Sequence, residues 1–297
     1  MQVIEWLLDP FRYEFFRNGI LAASMVGALC GLIGVVVVLK KMSYIGHGLS
    51  HSIFGGAVIS YVIGLNFYIG AGLWGFLSAL LINAATRKRK IGADAAIGIV
   101  TTASFAIGVA LISKVRTFTR NFDAALFGNI LGVNAGDLFI IGIVLVAALV
   151  ALFFGYKQLL FSTFDPEVAP SYGVPSAWVD TFFSLILAAT IIASMQVMGV
   201  TLIAASIVIP PITARMLTDS FPRILALSSG IGAICGFLGM FISYYLDISS
   251  GASIVLFSAL VFVLVGSAGR VYSRFRPEKR LVLGRRLATS EAAELFD

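Results

Sequence analysis

Long apolar stretches alternate with short polar or charged segments along this chain, and most stretches are close to the length of one membrane crossing. A helix rising 1.5 Å per residue needs about 20 residues to cross a hydrocarbon core. Candidate spans run over 18–39, 46–65, 67–86, 93–113, 136–156, 179–197, 199–218, 224–246 and 250–269. Two regions, 43–86 and 181–214, hold no Lys, Arg, Asp or Glu and are each too long for one ordinary span. A break at Leu65-Asn66 and another at Met198-Gly199 divide them. The pattern therefore predicts an all-α polytopic membrane protein of nine transmembrane helices, with eight or ten as the alternatives. Lipid imposes helices here because it offers backbone groups no hydrogen-bond partner.

Composition agrees with the pattern. Of 297 residues, 59% are hydrophobic and 12% charged, with a mean hydropathy of +0.98. A water-coated surface takes roughly 25% charged residues, so a soluble domain is excluded. The net charge of +6 adds the orientation. Lys40 and Lys41, Arg87 to Lys90, Lys157, Arg215 and Arg223, and Arg270 to Arg286 fall on one side of a nine-span arrangement whose N-terminus is outside. That side is the cytoplasmic one by the positive-inside rule, with Arg12, Arg17, Lys114, Arg116 and Arg120 as exceptions. Topology thus accounts for the basic balance, and nucleic acid is not implied. Glu5, Asp9, Arg12, Glu14 and Arg17 interrupt the N-terminal segment, which does not read as a cleavable signal.

The expected organisation is an extracytoplasmic segment 1–17, a transmembrane domain 18–270 with a cytosolic loop 157–178, and a cytosolic tail 271–297. Gly27 with Gly31, and Gly232 with Gly236 and Gly239, place small residues on helix faces suited to close packing in lipid. Pro210-Pro211 is expected to break or kink the seventh span. Cys30 and Cys235 lie deep in apolar runs and read as small buried hydrophobes rather than a disulfide or a thiolate site.

Candidate chemistry gathers in two places. His47 and His51, the only histidines, sit four residues apart at the start of the second span. Residues at that spacing share a helix face, so both imidazoles can reach one cation, and polar groups inside spans tend to be functional. The Glu of a His-Glu-x-x-His motif is missing, which argues against a zinc hydrolase. A phosphate loop of the Gly-x-x-x-x-Gly-Lys-Ser/Thr type is also missing, so any ATP must be bound by a separate subunit. The second place is the long acidic, Pro-punctuated stretch Ser162–Pro175. A short surface helix is expected to begin there with Asp165 as N-cap and Pro166 at its first position. That stretch reads either as a plain cytosolic loop or as a docking element. Asp94 is expected to cap the fourth span.

Four stretches carry a resemblance to the permease subunits of zinc/manganese/iron ABC importers. They are Val38–His51, similar to a basic segment followed by Gly-Asp-x-x-Ser-His; Asp94–Ile99; Phe164–Glu167, like the helix that seats on the ATPase; and Gly199–Pro210. The resemblance implies a transport subunit rather than an enzyme, in a bacterial plasma membrane, without a permanently bound cofactor. Its substrate would be a divalent transition metal contacted by His47 and His51. Implied partners are an ABC ATPase coupled through Asp165 and Glu167, an extracytoplasmic metal-binding protein, a second permease copy and membrane lipid. One departure stands out: His47 occupies the position of the family's usual Asp. The alternative reading is a secondary transporter, independent of ATP, that uses the His47/His51 pair as a metal or proton relay.

Overall fold

The computed structural model describes residues 8–87, 92–114, 126–128, 130–165 and 168–275. Its helices are α1 (Glu14–Leu39), α2 (Ser43–Val62), α3 (Phe67–Arg87), α4 (Ala93–Lys114), α5 (Ala135–Phe154), α6 (Tyr156–Phe164), α7 (Ser176–Leu217), α8 (Phe221–Leu246) and α9 (Ser250–Phe275). Short 3-10 turns lie at Asp9–Arg12, Ile130–Gly132 and Ala169–Tyr172, and there is no strand among the described residues. Seven of these helices are long and apolar enough to cross a membrane, counting the 42-residue α7 once.

That count rises to nine crossing segments once α7 and α2 are read from their contacts. The first half of α7 runs against α1, with Asp180 on Lys40 and Ser194 Oγ 3.6 Å from Cys30 Sγ. Its second half returns, so that Ile207 lies against Gly34 and Ala214 packs with Val35 and Ile224. The reversal is at Gly199, the one residue inside α7 with non-helical dihedrals (φ 73°, ψ 163°). Only glycine enters that region without strain. A Cβ there would also lie 2.3 Å from the Leu126 carbonyl and 2.4 Å from the Gly128 nitrogen. α2 spans 20 residues but is rich in Gly, Ser and His, and it is buried on most sides against α3, α4 and α7. Its lower hydropathy suits an inner helix that meets little lipid.

Of the break or kink expected at Pro210-Pro211, the break does not occur. Helix α7 continues through both prolines to Leu217. Without N–H groups at 210 and 211, the carbonyls of Ser206 and Ile207 lose their usual helical donors. α1 packs closely against one of them: at Gly34 a Cβ would come within 1.9 Å of the Ile207 oxygen. The expected glycine packing is present as well, between α1 and α8. Gly27 and Gly232 each lie against the other's carbonyl, and Gly31 faces the carbonyl of Ser228. Lipid tails are as apolar as leucine, so such backbone contact is what holds helices together.

α1 and the middle of α7 form the core, with Phe16, Leu29, Cys30, Ile33, Leu187 and Ile191 fully enclosed. Large apolar residues on α5 and α9 point outward instead, among them Phe139, Phe153 and Leu256. Such an exterior would be costly in water and suits hydrocarbon. One end of the bundle gathers Lys40, Asp180 and α6. The other gathers Gly199, Ser249 bonded to Phe127, and Asp137, which accepts a 2.7 Å hydrogen bond from Tyr68. Both cysteines are free and buried.

Candidate functional site

α2 offers one open face. Ile45, Gly46, Gly48, Leu49, Ser50 and Ser52 are buried, whereas Tyr44 is exposed and His47 and His51 are half-exposed. These three stand at i, i+3 and i+7, a single stripe of the helix. Small residues on the other faces set α2 deep in the bundle. A Cβ at Gly48 would lie 2.4 Å from Ile97 Cγ2, so the Asp94–Ile99 stretch of α4 packs directly behind the histidines. Gly46 faces Ile207 of the Gly199–Pro210 stretch. Asp94 itself lies within the first turn of α4 and not at its cap, still near the positive dipole end.

The two imidazoles meet. His51 Nε2 and His47 Nε2 are 3.2 Å apart, with ring centroids 4.5 Å apart and planes nearly perpendicular. Two nitrogen ligands on one tetrahedral cation, at bonds of about 2 Å, stand about 3.3 Å apart. The pair therefore has the spacing of a two-nitrogen chelate, and as a free pair it can share one ring proton. Phe105 of α4 holds the His51 ring edge-on at 5.1 Å, and Ser50 Oγ donates to the His47 carbonyl at 2.8 Å. His51 Nδ1 is buried and makes no hydrogen bond. An unpaired buried polar atom costs on the order of 1–3 kcal/mol. Among the described residues no third His, Cys, Asp or Glu completes a metal cluster. The arrangement can offer a cation two ligands and leave the remaining positions to water, which suits passage better than a closed cage.

The acidic stretch follows a helix that its sequence reading did not include: α6 begins at Tyr156 and Asp165 closes it, donating its N–H to the Phe161 carbonyl at 2.9 Å. The Asp165 carbonyl then accepts from Val168 and Ala169 and starts the next turn. Pro166, the expected first helical residue, and Glu167 lie outside the described residues. Aromatic side chains are exposed here beside the polar Asp165 and Ser171. Phe164 and Tyr172 are 61% and 70% exposed, and Phe161 stacks on Tyr172 at 5.7 Å. Since they sit past the end of α5, at the bundle end bearing Lys40, hydrocarbon does not account for them.

Sequence reasoning missed one node. Lys40, taken only as a topological marker, has a side chain that is 8% exposed. Its ammonium donates to Asp180 Oδ1 at 2.5 Å and to Ser162 Oγ at 3.1 Å. A signal was available: Asp180 is a lone carboxylate opening an apolar run, and such a group needs a partner.

Comparison with known proteins fits this geometry. Residues 12–268 match the model of the ABC 3 transport family. The manganese transport system membrane protein MntC of Halalkalibacterium halodurans is 37% identical over 253 residues, covering 85% of this chain and 86% of the relative. The chelated iron transport system membrane protein YfeC of Yersinia pestis is 34% identical, with 88% of each chain covered. Among solved structures, PsaBC from Streptococcus pneumoniae in complex with Fab superposes with a TM-score of 0.80 at 33% identity, covering 88% of this chain and 95% of that one.

Proposed function

This chain belongs to the ABC 3 transport family, and from that premise we propose that it is the permease of an ATP-driven importer for a divalent transition metal. It is a multi-pass protein of the bacterial plasma membrane, of the class of transport subunits rather than enzymes. The observation that carries the proposal is the His47/His51 stripe on the one open face of an otherwise buried helix. Lipid cannot cover two imidazoles at acceptable cost, so that face borders a polar pathway. A second copy apposing the same stripe would enclose such a pathway between the two chains.

Relatives are named for manganese and for iron transport, and nitrogen donors also suit zinc. An extracytoplasmic metal-binding protein would deliver the ion at the Asp247 end, and a separate ATPase would dock on α6 and the turn after it. The lone pairs of His47 and His51 would take the ion from water and release it as the helices move, with no covalent chemistry in this chain.

Orientation is testable by labelling with a membrane-impermeant maleimide. Lys157→Cys is expected to react only from the cytosolic side and Asp247→Cys only from outside, with little background from the buried Cys30 and Cys235. Labelling of Lys157→Cys in intact cells would invert the protein and remove α6 as the ATPase surface.

A further inference from the structure

We propose that Lys40 is a positioning residue that transmits movement of α6 to the histidine-bearing helix α2. The inference rests on the permease reading above and assigns the residue through which its two ends communicate. Lys40 caps α1, and the chain turns within two residues, at Lys41 (φ 57°) and Met42, before α2 starts at Ser43. The turn is closed by its own backbone: Lys40 N–H donates to the Val36 carbonyl at 2.9 Å and Met42 N–H to that of Val37 at 3.0 Å. With so few free torsions, a pull on Lys40 moves the start of α2. His47 follows Ser43 by about 6 Å of helix, roughly one turn.

The ammonium of Lys40 is held by groups from two other elements. Ser162, in the last turn of α6, accepts through its hydroxyl at 3.1 Å and its carbonyl at 3.5 Å, and Asp180 accepts from the first turns of α7. α6 also carries Phe164, the most exposed aromatic of its surface. One charged group thus joins the element that would meet the ATPase, the start of the long hairpin α7, and the turn that opens α2. A plain structural staple would need no such placement. Removing its charge would leave Asp180 half-exposed and still solvated, so the bundle stands without it.

The test uses vesicles holding the permease with its ATPase, supplied with manganese(II) or iron(II), and reads metal taken up per ATP hydrolysed. Lys40→Met keeps the apolar stem and removes the ammonium. It is expected to lower the ratio about tenfold while ATP hydrolysis continues, within the range of typical coupling between sites. Lys40→Arg is expected to restore at least about half of the parent ratio, because it keeps charge and donors. Should Lys40→Met fail to assemble, Asp180→Asn reads the same contact, and a fall of about threefold supports the proposal. A parent-like ratio in whichever variant assembles overturns it. Parent vesicles lacking ATP-dependent uptake would instead overturn the permease reading itself, so the two failures are distinct.

Discussion

His51→Ala is expected to abolish most metal transport, lowering uptake by the assembled transporter on the order of 100-fold. Losing even an outer partner of a metal ligand costs about 10- to 100-fold in affinity, and His51 supplies one of the two imidazole donors on the α2 face. The fold should survive. His51 is half-exposed, its contact with Phe105 is a single edge-on packing, and its Nδ1 leaves no broken hydrogen bond behind. His47→Asp is expected to do something different: it restores a hard, anionic oxygen in place of a borderline nitrogen. Manganese gains more from a carboxylate than zinc or iron(II) does, so competition uptake should shift toward manganese. Uptake assays with the three metals, singly and in competition, check both results. If both variants carry all three metals as the parent does, the histidines are packing residues and the pathway lies elsewhere.

Phe164→Asp is expected to weaken ATPase binding by about 30- to 1000-fold, the usual consequence of losing a central aromatic anchor. The side chain lies in the last turn of α6 at 61% exposure, three residues after Phe161, which stacks on Tyr172. An aspartate there would put an unpaired charge into the docked interface and leave the bundle core untouched. Asp165→Ala should cost far less, because the residue ends α6 through its backbone and not through a side-chain cap. Titration of the ATPase onto permease in nanodiscs measures both. Unchanged affinity for Phe164→Asp would assign this aromatic face to lipid headgroups instead.

Hydrophobic patterning made most of the fold legible. It placed the divisions at Leu65-Asn66 and Met198-Gly199, and the structure ends α2 at Val62 and turns α7 at Gly199. Small-residue spacing marked faces of α1 and α8 for close packing, though not their pairing with each other, because backbone approach in lipid favours glycine whatever the surrounding topology. The histidine pair was legible for a similar reason, since i and i+4 fix a shared face without tertiary information. What stayed hidden depended on contacts far apart in the chain. Lys40 meets Ser162 and Asp180 across separations of 122 and 140 residues, and a cation beside a span end looks like a topological signal until its partner is seen. α6 was obscured by the turn chemistry that follows it. Asp-Pro is a strong helix-start signal, yet here the aspartate's carbonyl serves the next turn while its N–H completes the previous helix. That α7 does not break at prolines 210 and 211 was hidden for a third reason: the outcome depends on what packs against the freed carbonyls, and Gly34 on a distant helix packs against that of Ile207.

As proposed above, this chain conducts a metal ion but draws its energy from another subunit. Metal uptake into sealed vesicles tests it most directly, comparing the permease alone with the permease joined to its ATPase, each with and without ATP. Concentrative uptake of manganese(II) or iron(II) is predicted only where ATPase and ATP are both present. Concentrative uptake by the permease alone, without ATP, would contradict the account and identify a secondary transporter.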